Sequence, residues 1–415
     1  MTSSASANPS PANQVLKVSA NGHYFETADG KPWFWLGDTA WTMFTAYTPD
    51  EARRYLEARA KLGFNLVQVS PVFDGGTGTE KGINPNQNTD GIAPWSNHDP
   101  LQPNEAFWKN VDAAVKIAQG NGIHLGLLPC WGSYVANTKM LTLKNAKPYG
   151  KWLGARYKDA PNIVWIVGGD RPFAGAPEIW TALAEGLQEG DGGAHPITYH
   201  TSPDGCPTPA AVHQAPWLSA SMLQTWAFYD NIPAFVSADY KAVPPKPVIL
   251  GEGAYEEGPE YPSKPITPLS IRKQGYWACL SGGFYTYGHN DMWRHNSTWE
   301  KSLSSPGAHD MQVMREIFAG IDWWNLVPAQ EILGTSRKSG MDYNAAARSS
   351  DNKWVLLYLS HATTVDLRLE GDLAKLQQAT WINPATGERT DAGKIGASAT
   401  TPAGWEDALL ELKEK

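Results

Sequence analysis

Three acidic residues each follow a short apolar run that ends in glycine. The acids are Asp38, Asp170 and Glu252. Uninterrupted β-branched and aromatic residues are typical of a strand that is buried on both faces of a parallel sheet. The carboxyl ends of such strands converge on one mouth in α/β barrels, and these folds carry their chemistry there. We therefore expect the three acids to face a common site.

Asp170 and Glu252 could supply the two carboxyl groups that hydrolysis of a glycosidic bond requires. One protonated carboxyl group donates to the leaving oxygen, and a second, ionised carboxylate acts as nucleophile or as base for water. A separation of about 5–5.5 Å retains the configuration of the sugar and one of about 6.5–9.5 Å inverts it, a choice that the sequence leaves open. In the alternative interpretation, either acid pairs with Arg171 or caps a helix.

If Asp170 is the acid, its pKa must be raised while Glu252 stays ionised. The apolar strand with Trp165 and the negative charge of Glu252 both act in this direction, and we expect Arg171 to point away. The reference pKa of an aspartate is low, about 3.9. We therefore expect a bell-shaped pH dependence with an optimum on the acid side of neutral.

Other polar and aromatic residues near the strand ends are candidates for binding a sugar. We expect Asp38 to bind sugar hydroxyls, or alternatively to cap the turn through Thr39. The chain holds 19 tryptophans, and large aromatic faces serve either as core or as flat platforms for sugars. The candidates for the wall of the site are Trp41, Trp131, Trp226, Tyr287, His289 and Trp293, and those for donors to ring hydroxyls are His200 and Gln224. Ordinary loop packing is the alternative for each of them.

Eight strand–helix repeats are predicted between residues 33 and 319. In the first repeat, a capping box at Thr48-Pro49-Asp50-Glu51 begins a helix, Gly63 ends it, and a strand at 64–70 follows. No glycine-rich phosphate motif follows the first strand, which argues against a dinucleotide-binding fold. The alternation predicts an α/β fold, a (β/α)8 TIM barrel, over residues 15–328.

The pattern changes after about residue 324, where short β runs replace the strand–helix repeats. The runs lie at 354–359, 365–369 and 380–383, and turn residues separate them. They predict a small antiparallel β-sandwich at 329–415. No cluster of titratable residues marks a site in it.

Composition excludes several classes of partner. The net charge of -8 argues against nucleic acid and an anionic membrane surface, and no apolar run reaches the roughly 18 residues of a membrane span. The three cysteines, Cys130, Cys206 and Cys279, have neither metal-ligand spacing nor the number of a disulfide framework. We expect no cofactor and no metal, a carbohydrate as substrate, and a monomer.

Residues 1–14 are rich in Ser, Ala, Asn and Pro and lack the basic start and apolar segment of a signal peptide. We expect a flexible leader that remains after a signal peptide has been removed, and hence a periplasmic or secreted protein. A cytoplasmic protein with a loose N-terminus would show the same composition.

Four motifs resemble the glycoside hydrolase family that contains the apiosidases. They are Gly37-Asp38-Thr39-Ala40-Trp41, Gly63-Phe64-Asn65-Leu66-Val67-Gln68, Trp165-Ile166-Val167-Gly168-Gly169-Asp170 and Leu250-Gly251-Glu252. The resemblance covers roughly residues 15–415, since these proteins also carry a small C-terminal β domain that is often labelled as collagen-binding. It implies a retaining barrel enzyme with Asp170 as acid/base and Glu252 as nucleophile.

The resemblance further implies release of a terminal apiofuranose from a pectin side chain or a plant glycoside. The residues do not distinguish apiose from another furanose such as arabinose, so another exo-glycofuranosidase is the main alternative. A non-catalytic carbohydrate-binding protein would have no need of the paired acids, and a matrix-binding protein would depend on the C-terminal domain alone. Long loops at 74–103, 201–218 and 288–308 predict an exo-acting pocket rather than an open cleft.

Overall fold

The computed structural model describes residues 12–73, 87–258, 266–376 and 378–414. A three-stranded antiparallel sheet comes first, with β1 (Leu16–Val18), β2 (Phe25–Thr27) and β3 (Pro32–Trp33). Residues 1–11 of the predicted leader lie outside the described residues. Residues 12–14 are held on the protein, because Ala12 N–H donates to the carbonyl of Gln119 and the Gln14 carbonyl lies 3.2 Å from His124 Nε2.

Eight parallel strands form the central sheet. They are β4 (Leu36–Thr39), β5 (Leu66–Val69), β6 (His124–Leu127), β7 (Ile163–Gly168), β8 (Ile197–His200), β9 (Ser221–Gln224), β10 (Val248–Glu252) and β11 (Phe284–Thr286). Hydrogen bonds connect them in the order β8-β7-β6-β5-β4-β11-β10-β9. A parallel bridge between Thr198 and Ala220 joins the two outer strands, so the sheet closes into the predicted TIM barrel.

Helices cover the outside of the barrel and parts of its loops. They are α1 (Met43–Ala46), α2 (Pro49–Lys61), α3 (Glu105–Gly120), α4 (Ser133–Ala136), α5 (Leu143–Tyr157), α6 (Pro177–Asp191), α7 (Ala210–His213), α8 (Ile232–Tyr240), α9 (Pro268–Leu280), α10 (Asn290–Arg294), α11 (Trp299–Ser302) and α12 (Pro306–Ala319). The predicted capping box between Thr48 and Glu51 begins α2. None of the helices in the described ranges combines the length and the apolar character needed to cross a membrane.

The two helices beside β7 pack backbone to backbone. A Cβ on Gly150 of α5 would lie 2.5 Å from the carbonyl oxygen of Leu183, and one on Gly186 of α6 would lie 2.3 Å from that of Lys147. Glycine inside a helix costs about 0.5–1 kcal/mol relative to alanine. These positions accept that cost because only glycine permits the contact, which fixes α5 and α6 against the strand that precedes Asp170.

The C-terminal domain is antiparallel β, as predicted. Its strands are β12 (Leu326–Pro328), β13 (Ala345–Ser349), β14 (Trp354–Leu359), β15 (Thr364–Asp366), β16 (Gln378–Ile382), β17 (Arg389–Gly393), β18 (Ser398–Thr400) and β19 (Ala408–Lys413). Six of them form one sheet in the order β12-β13-β14-β19-β16-β17, and β15 pairs with β18.

Buried polar contacts tie this domain to the barrel. Arg272 of α9 donates to Asp407 at 2.9 Å and to Asp310 at 2.7 Å, and the hydroxyl of Tyr358 also donates to Asp407. Apolar side chains on one face of the domain, including Leu356, belong to the same buried core as those of the barrel. The domain is therefore a docked part of the protein rather than a separate module on a linker.

Candidate active site

The ends of four strands bring the candidate acids together. Asp170 follows β7, His200 ends β8, Gln224 ends β9 and Glu252 ends β10. One ligand atom from each of Asp170, His200 and Glu252 lies within 4.8 Å of the other two. The side chain of Asp170 is 38% exposed and that of Glu252 is 9% exposed. Asp170 and Glu252 thus meet at the barrel mouth, where the sequence pattern predicts them.

A left-handed turn after β7 positions Asp170. Gly168 and Gly169 have φ angles of 103° and 110°, and Asp170 itself has a φ angle of 53°. A Cβ on Gly168 would lie 2.3 Å from the carbonyl oxygen of His200, so a larger residue does not fit there. Aspartate tolerates the left-handed region better than most residues, although at some cost in strain. The turn brings the carboxylate to Gln224, whose Nε2 donates to Asp170 Oδ1 at 2.7 Å.

His200 is fully buried between the two acids. Its Nδ1 accepts a long hydrogen bond of 3.5 Å from the backbone N–H of Asp170, which leaves Nε2 as the nitrogen that carries a proton. Nε2 lies 3.0 Å from Glu252 Oε2, without the alignment of a full hydrogen bond. Burial lowers the pKa of His200, but contact with Glu252 and the charge of Asp170 outweigh it and raise the pKa. His200 therefore holds a proton against the Glu252 carboxylate.

The electrostatics favour the protonated form of Asp170. Desolvation by the surrounding protein, followed by the negative charge of Glu252, raises the pKa of Asp170 to about 6. His200, Gln224 and Arg171 lower it by smaller amounts. The direction of this shift agrees with our expectation.

The neighbours of Asp170 in the chain take little part in this shift. Arg171 Nη1 donates to the backbone carbonyl of Asp170 at 2.7 Å, and not to its carboxylate. Trp165 faces the helices, where its Nε1 donates to Asp191 at 2.9 Å, so it does not supply the apolar surroundings that we expected.

Aromatic rings enclose the site behind His200. The centroid of Trp41 lies 5.2 Å and that of Trp131 lies 5.8 Å from the imidazole ring. Trp41 Nε1 donates to the hydroxyl of Tyr255 at 3.0 Å, and Phe73 packs edge-on against Trp131 at 4.8 Å. Burial and then the charge of Glu252 raise the pKa of Tyr255 well above its ordinary value, which keeps its hydroxyl protonated. Trp41 and Trp131 thus belong to the site.

Sequence reasoning missed Tyr255 and Phe73. Tyr255 comes three residues after Glu252, and Phe73 comes four residues after the end of β5. The sequence signal that could have identified both residues is their position just beyond the end of a predicted strand. The same signal led to Trp293, whose ring centroid lies 6.3 Å from that of Tyr255.

Asp38 does not reach the mouth. Its carboxylate is completely buried and forms an ion pair with Arg59 of α2, which is equally buried. It also accepts hydrogen bonds from the hydroxyl of Tyr55 at 2.5 Å and from the backbone N–H of Thr39 at 2.8 Å. A sugar hydroxyl could reach this carboxylate only by breaking the pair. Asp38 is therefore a structural acid, contrary to our expectation of a sugar ligand.

Tyr287 and His289 are likewise enclosed. The hydroxyl of Tyr287 donates to Glu256 at 2.5 Å, and Nδ1 of His289 accepts from the backbone N–H of Asp291 as the cap of α10. Neither of them offers a polar group to a substrate in this arrangement. Trp226 differs, because this residue, just beyond β9, is 40% exposed.

Asp170, His200 and Glu252 could also ligate a divalent cation. Imidazole nitrogen and carboxylate oxygens are donors that catalytic zinc and iron sites use. Hydrolysis by a carboxyl pair needs no such ion. A chelator therefore separates the two uses of these residues.

Comparisons with known proteins identify the family. The model of the apiosidase-like catalytic domain matches residues 19–325. The chain belongs to this family of glycoside hydrolases. A second model, described as a collagen-binding domain of a collagenase, matches residues 327–405 of the hydrolase. No curated protein sequence matches the chain.

Solved structures agree with this assignment. A crystal structure of a glycoside hydrolase family 5 protein from Bacteroides vulgatus has a TM-score of 0.86 and 25% identity, covering 98% of this chain and 95% of that chain. A second structure, named glycoside hydrolase, has a TM-score of 0.86 and 24% identity, covering 99% of both chains. The hydrolase thus shares both its barrel and its C-terminal domain with these proteins.

Proposed function

We propose that this hydrolase is a retaining exo-glycosidase in which Asp170 is the acid/base and Glu252 the nucleophile. The observation that carries the proposal is the position of an oxygen of each carboxyl group within 4.8 Å of the other. Retaining enzymes separate their carboxyl groups by about 5–5.5 Å, whereas inverting enzymes leave about 6.5–9.5 Å for a water molecule. The short separation favours direct attack by a carboxylate.

In the first step, Glu252 attacks the anomeric carbon while protonated Asp170 gives its proton to the leaving oxygen. The glycosidic bond breaks, and an ester bond to Glu252 forms. His200 Nε2, which lies 3.0 Å from Glu252 Oε2, helps to position the carboxylate electrostatically. The donor Gln224 holds the Asp170 carboxyl group at 2.7 Å.

In the second step, ionised Asp170 removes a proton from water, which attacks the anomeric carbon and releases Glu252. The charge of Glu252 raises the pKa of Asp170 in the free enzyme. Ester formation removes that charge, so the pKa of Asp170 falls when it has to act as a base. One interaction thus serves both halves of the reaction.

For the substrate, we propose a terminal furanose, with apiose on plant pectin side chains or plant glycosides as the first choice. The family membership supports apiose, and the alternative is another furanose such as arabinose. The side chain of Glu252 is only 9% exposed, which suits a sugar that enters end-on. Plant pectin and plant glycosides lie outside the cell that produces the hydrolase, so we also propose that the hydrolase is periplasmic or secreted.

A screen of aryl furanosides and natural apiosides, with product identification, tests the substrate. Early ¹H NMR spectra of the released sugar, or of its methyl glycoside formed in methanol, show whether configuration is retained. Inversion would exclude Glu252 as nucleophile. Oligosaccharides that appear before the monosaccharide would exclude an exo-enzyme.

Two variants distinguish the roles of the acids. Asp170→Asn should hydrolyse an aryl glycoside with a strongly acidic leaving group much better than an alkyl glycoside, because such a leaving group needs no proton. Glu252→Gln should be inactive on both substrates, since no nucleophile remains. Equal losses on both substrates in the Asp170→Asn protein would remove Asp170 from the acid role.

A further inference from the structure

A second cleft lies at the end of the barrel opposite the acids. Its lining includes Trp33, Gly63 and His124, which all stand at or before the amino ends of strands, and Arg315 on α12. Its volume is about 690 Å³, which falls in the range of small-molecule sites. None of the residues assigned to hydrolysis lines it.

Arg315 supplies a cation without a counter-charge. Its Nη1 is buried and has no hydrogen-bond partner, and no carboxylate of the described residues pairs with it. Burial lowers the pKa of Arg315, and no acid offsets that effect. Residues 1–11, which precede this cleft in the chain, contain no Asp or Glu. Arg315 is half-buried, with its Nη1 atom out of contact with water, so its charge is partly desolvated and no acid compensates for it.

Glycine makes room for this arginine. A Cβ on Gly63, whose φ angle is 79°, would lie 3.0 Å from Arg315 Cδ. A side chain at this turn would strain the backbone and would displace the stem of Arg315 by a few tenths of an ångström. The other cation of the lining, Lys31, is already paired with Asp29 at 3.0 Å.

His124 supplies an acceptor in the same cleft. Burial lowers its pKa to about 4, so the ring is neutral at physiological pH. Nε2 lies 3.2 Å from the Gln14 carbonyl and must carry the proton, because a carbonyl can only accept. Nδ1 is then an acceptor, and it is buried without a partner. The ring of Trp33 packs edge-on against His124 at 5.2 Å and is itself partly exposed.

We propose that this cleft binds a monosaccharide that carries a carboxylate, such as a uronic acid. The guanidinium of Arg315 would take the carboxylate, Nδ1 of His124 would accept from a hydroxyl, and Trp33 would offer an apolar face to the sugar ring. A neutral sugar leaves the guanidinium unpaired, and inorganic phosphate fails to use the aromatic face. This cleft is distinct from the catalytic site. The proposal does not depend on which furanose the hydrolase cleaves.

Calorimetric titration with D-galacturonate, D-galactose and inorganic phosphate tests the proposal. Galacturonate should bind saturably to the wild-type protein and to Glu252→Gln alike, and at least tenfold more tightly than the other two ligands. Arg315→Met should weaken galacturonate binding by about tenfold or more, as expected for a lost hydrogen bond to a charged group. His124→Phe should weaken it severalfold, since the ring is kept and the acceptor is lost.

Lys31→Met is the matched control, because it removes a positive charge from the same lining where that charge is already paired. It should change galacturonate binding by less than about threefold. Arg315→Met should leave hydrolysis unchanged and should not lower the melting temperature, because the lost cation has no partner. Arg315→Lys, which keeps the charge, should bind with intermediate affinity.

Galacturonate binding that survives Arg315→Met would overturn the proposal, as would its loss in Glu252→Gln. Phosphate or galactose that binds as tightly as galacturonate would overturn the assignment to a sugar acid. A melting temperature that falls in Arg315→Met but not in Arg315→Lys would show a structural charge instead of a ligand site.

Discussion

Gln224→Met should shift the alkaline limb of the pH–rate profile upward. Gln224 Nε2 donates to Asp170 Oδ1 at 2.7 Å and thereby stabilises the ionised carboxylate. Methionine keeps nearly the same volume but offers no donor. The ionised form of Asp170 then loses a stabilising contact, and its pKa rises further above about 6. Asp170 consequently stays protonated to a higher pH, and the limb that reports its ionisation moves with it.

A hydrogen bond to a charged group is worth about 1.5–3 kcal/mol, and one pKa unit corresponds to about 1.36 kcal/mol. The side chain of Asp170 is 38% exposed, so water replaces part of the lost interaction. We therefore expect a shift of about one pKa unit. The value of kcat should also fall by about tenfold, because the carboxyl group loses the contact that orients it.

The assay is kcat/KM for an alkyl furanoside, whose leaving group needs a proton, over the pH range from 3.5 to 8.5, with stability checked at each pH. Gln68→Met is a matched control, since Gln68 is a buried barrel amide that donates to the Gly251 carbonyl at 2.8 Å and does not touch Asp170. Its alkaline limb should stay where the wild-type limb lies. An alkaline limb that stays in place or moves down in Gln224→Met would refute the role of Asp170 as the acid.

Three further outcomes are expected. Asp38→Asn should lower the free energy of unfolding by about 3–5 kcal/mol, because it leaves Arg59 buried without its partner. Denaturant titration measures this loss. The control Glu57→Gln, which breaks an exposed ion pair, should cost less than about 1 kcal/mol. Asp407→Asn should lower the melting temperature of the whole protein in a single transition, since its contact with Arg272 joins the two domains; a separate early transition would show that the domains are independent. Dialysis against a chelator should leave kcat unchanged, and activity that is lost and then restored by a divalent cation would make Asp170, His200 and Glu252 metal ligands.

The barrel and its acid pair were accessible from sequence because both rest on local patterns. Capping boxes, helical spacing and apolar runs that end in glycine can each be recognised within fewer than twenty residues. Eight such strand–helix repeats then predict a closed parallel sheet. Asp170 and Glu252 were found because the carboxyl ends of parallel strands meet at one mouth. In the helices beside β7, Gly150 and Gly186 lower the helix propensity, and the close contact between the two helices offsets this cost, which local patterns do not show.

Side-chain direction was not accessible in the same way. The side chain of an acid at a strand end faces either the barrel mouth or the surrounding helices. Its direction depends on whether a helix supplies a cation to pair with it. Asp38 meets Arg59, twenty-one residues later in the chain, and no local pattern distinguishes this arginine from one with an exposed head group. The cleft with Arg315 and His124 could not be predicted from local patterns at all, because its lining combines residues that lie far apart in the barrel sequence.

The buried pair has a consequence for the catalytic mouth nonetheless. Arg59, held by Asp38, donates through Nη1 to the Leu303 carbonyl at 2.8 Å. A second contact holds the segment from Trp293 to Leu303, because the hydroxyl of Thr42 donates to the Trp293 carbonyl at 2.5 Å. Because Trp293 packs beside Tyr255, which interacts with Glu252, the pair supports one wall of the site from behind. We therefore expect Asp38→Asn to raise KM, because that wall of the site loses its support, and to leave both limbs of the pH profile in place.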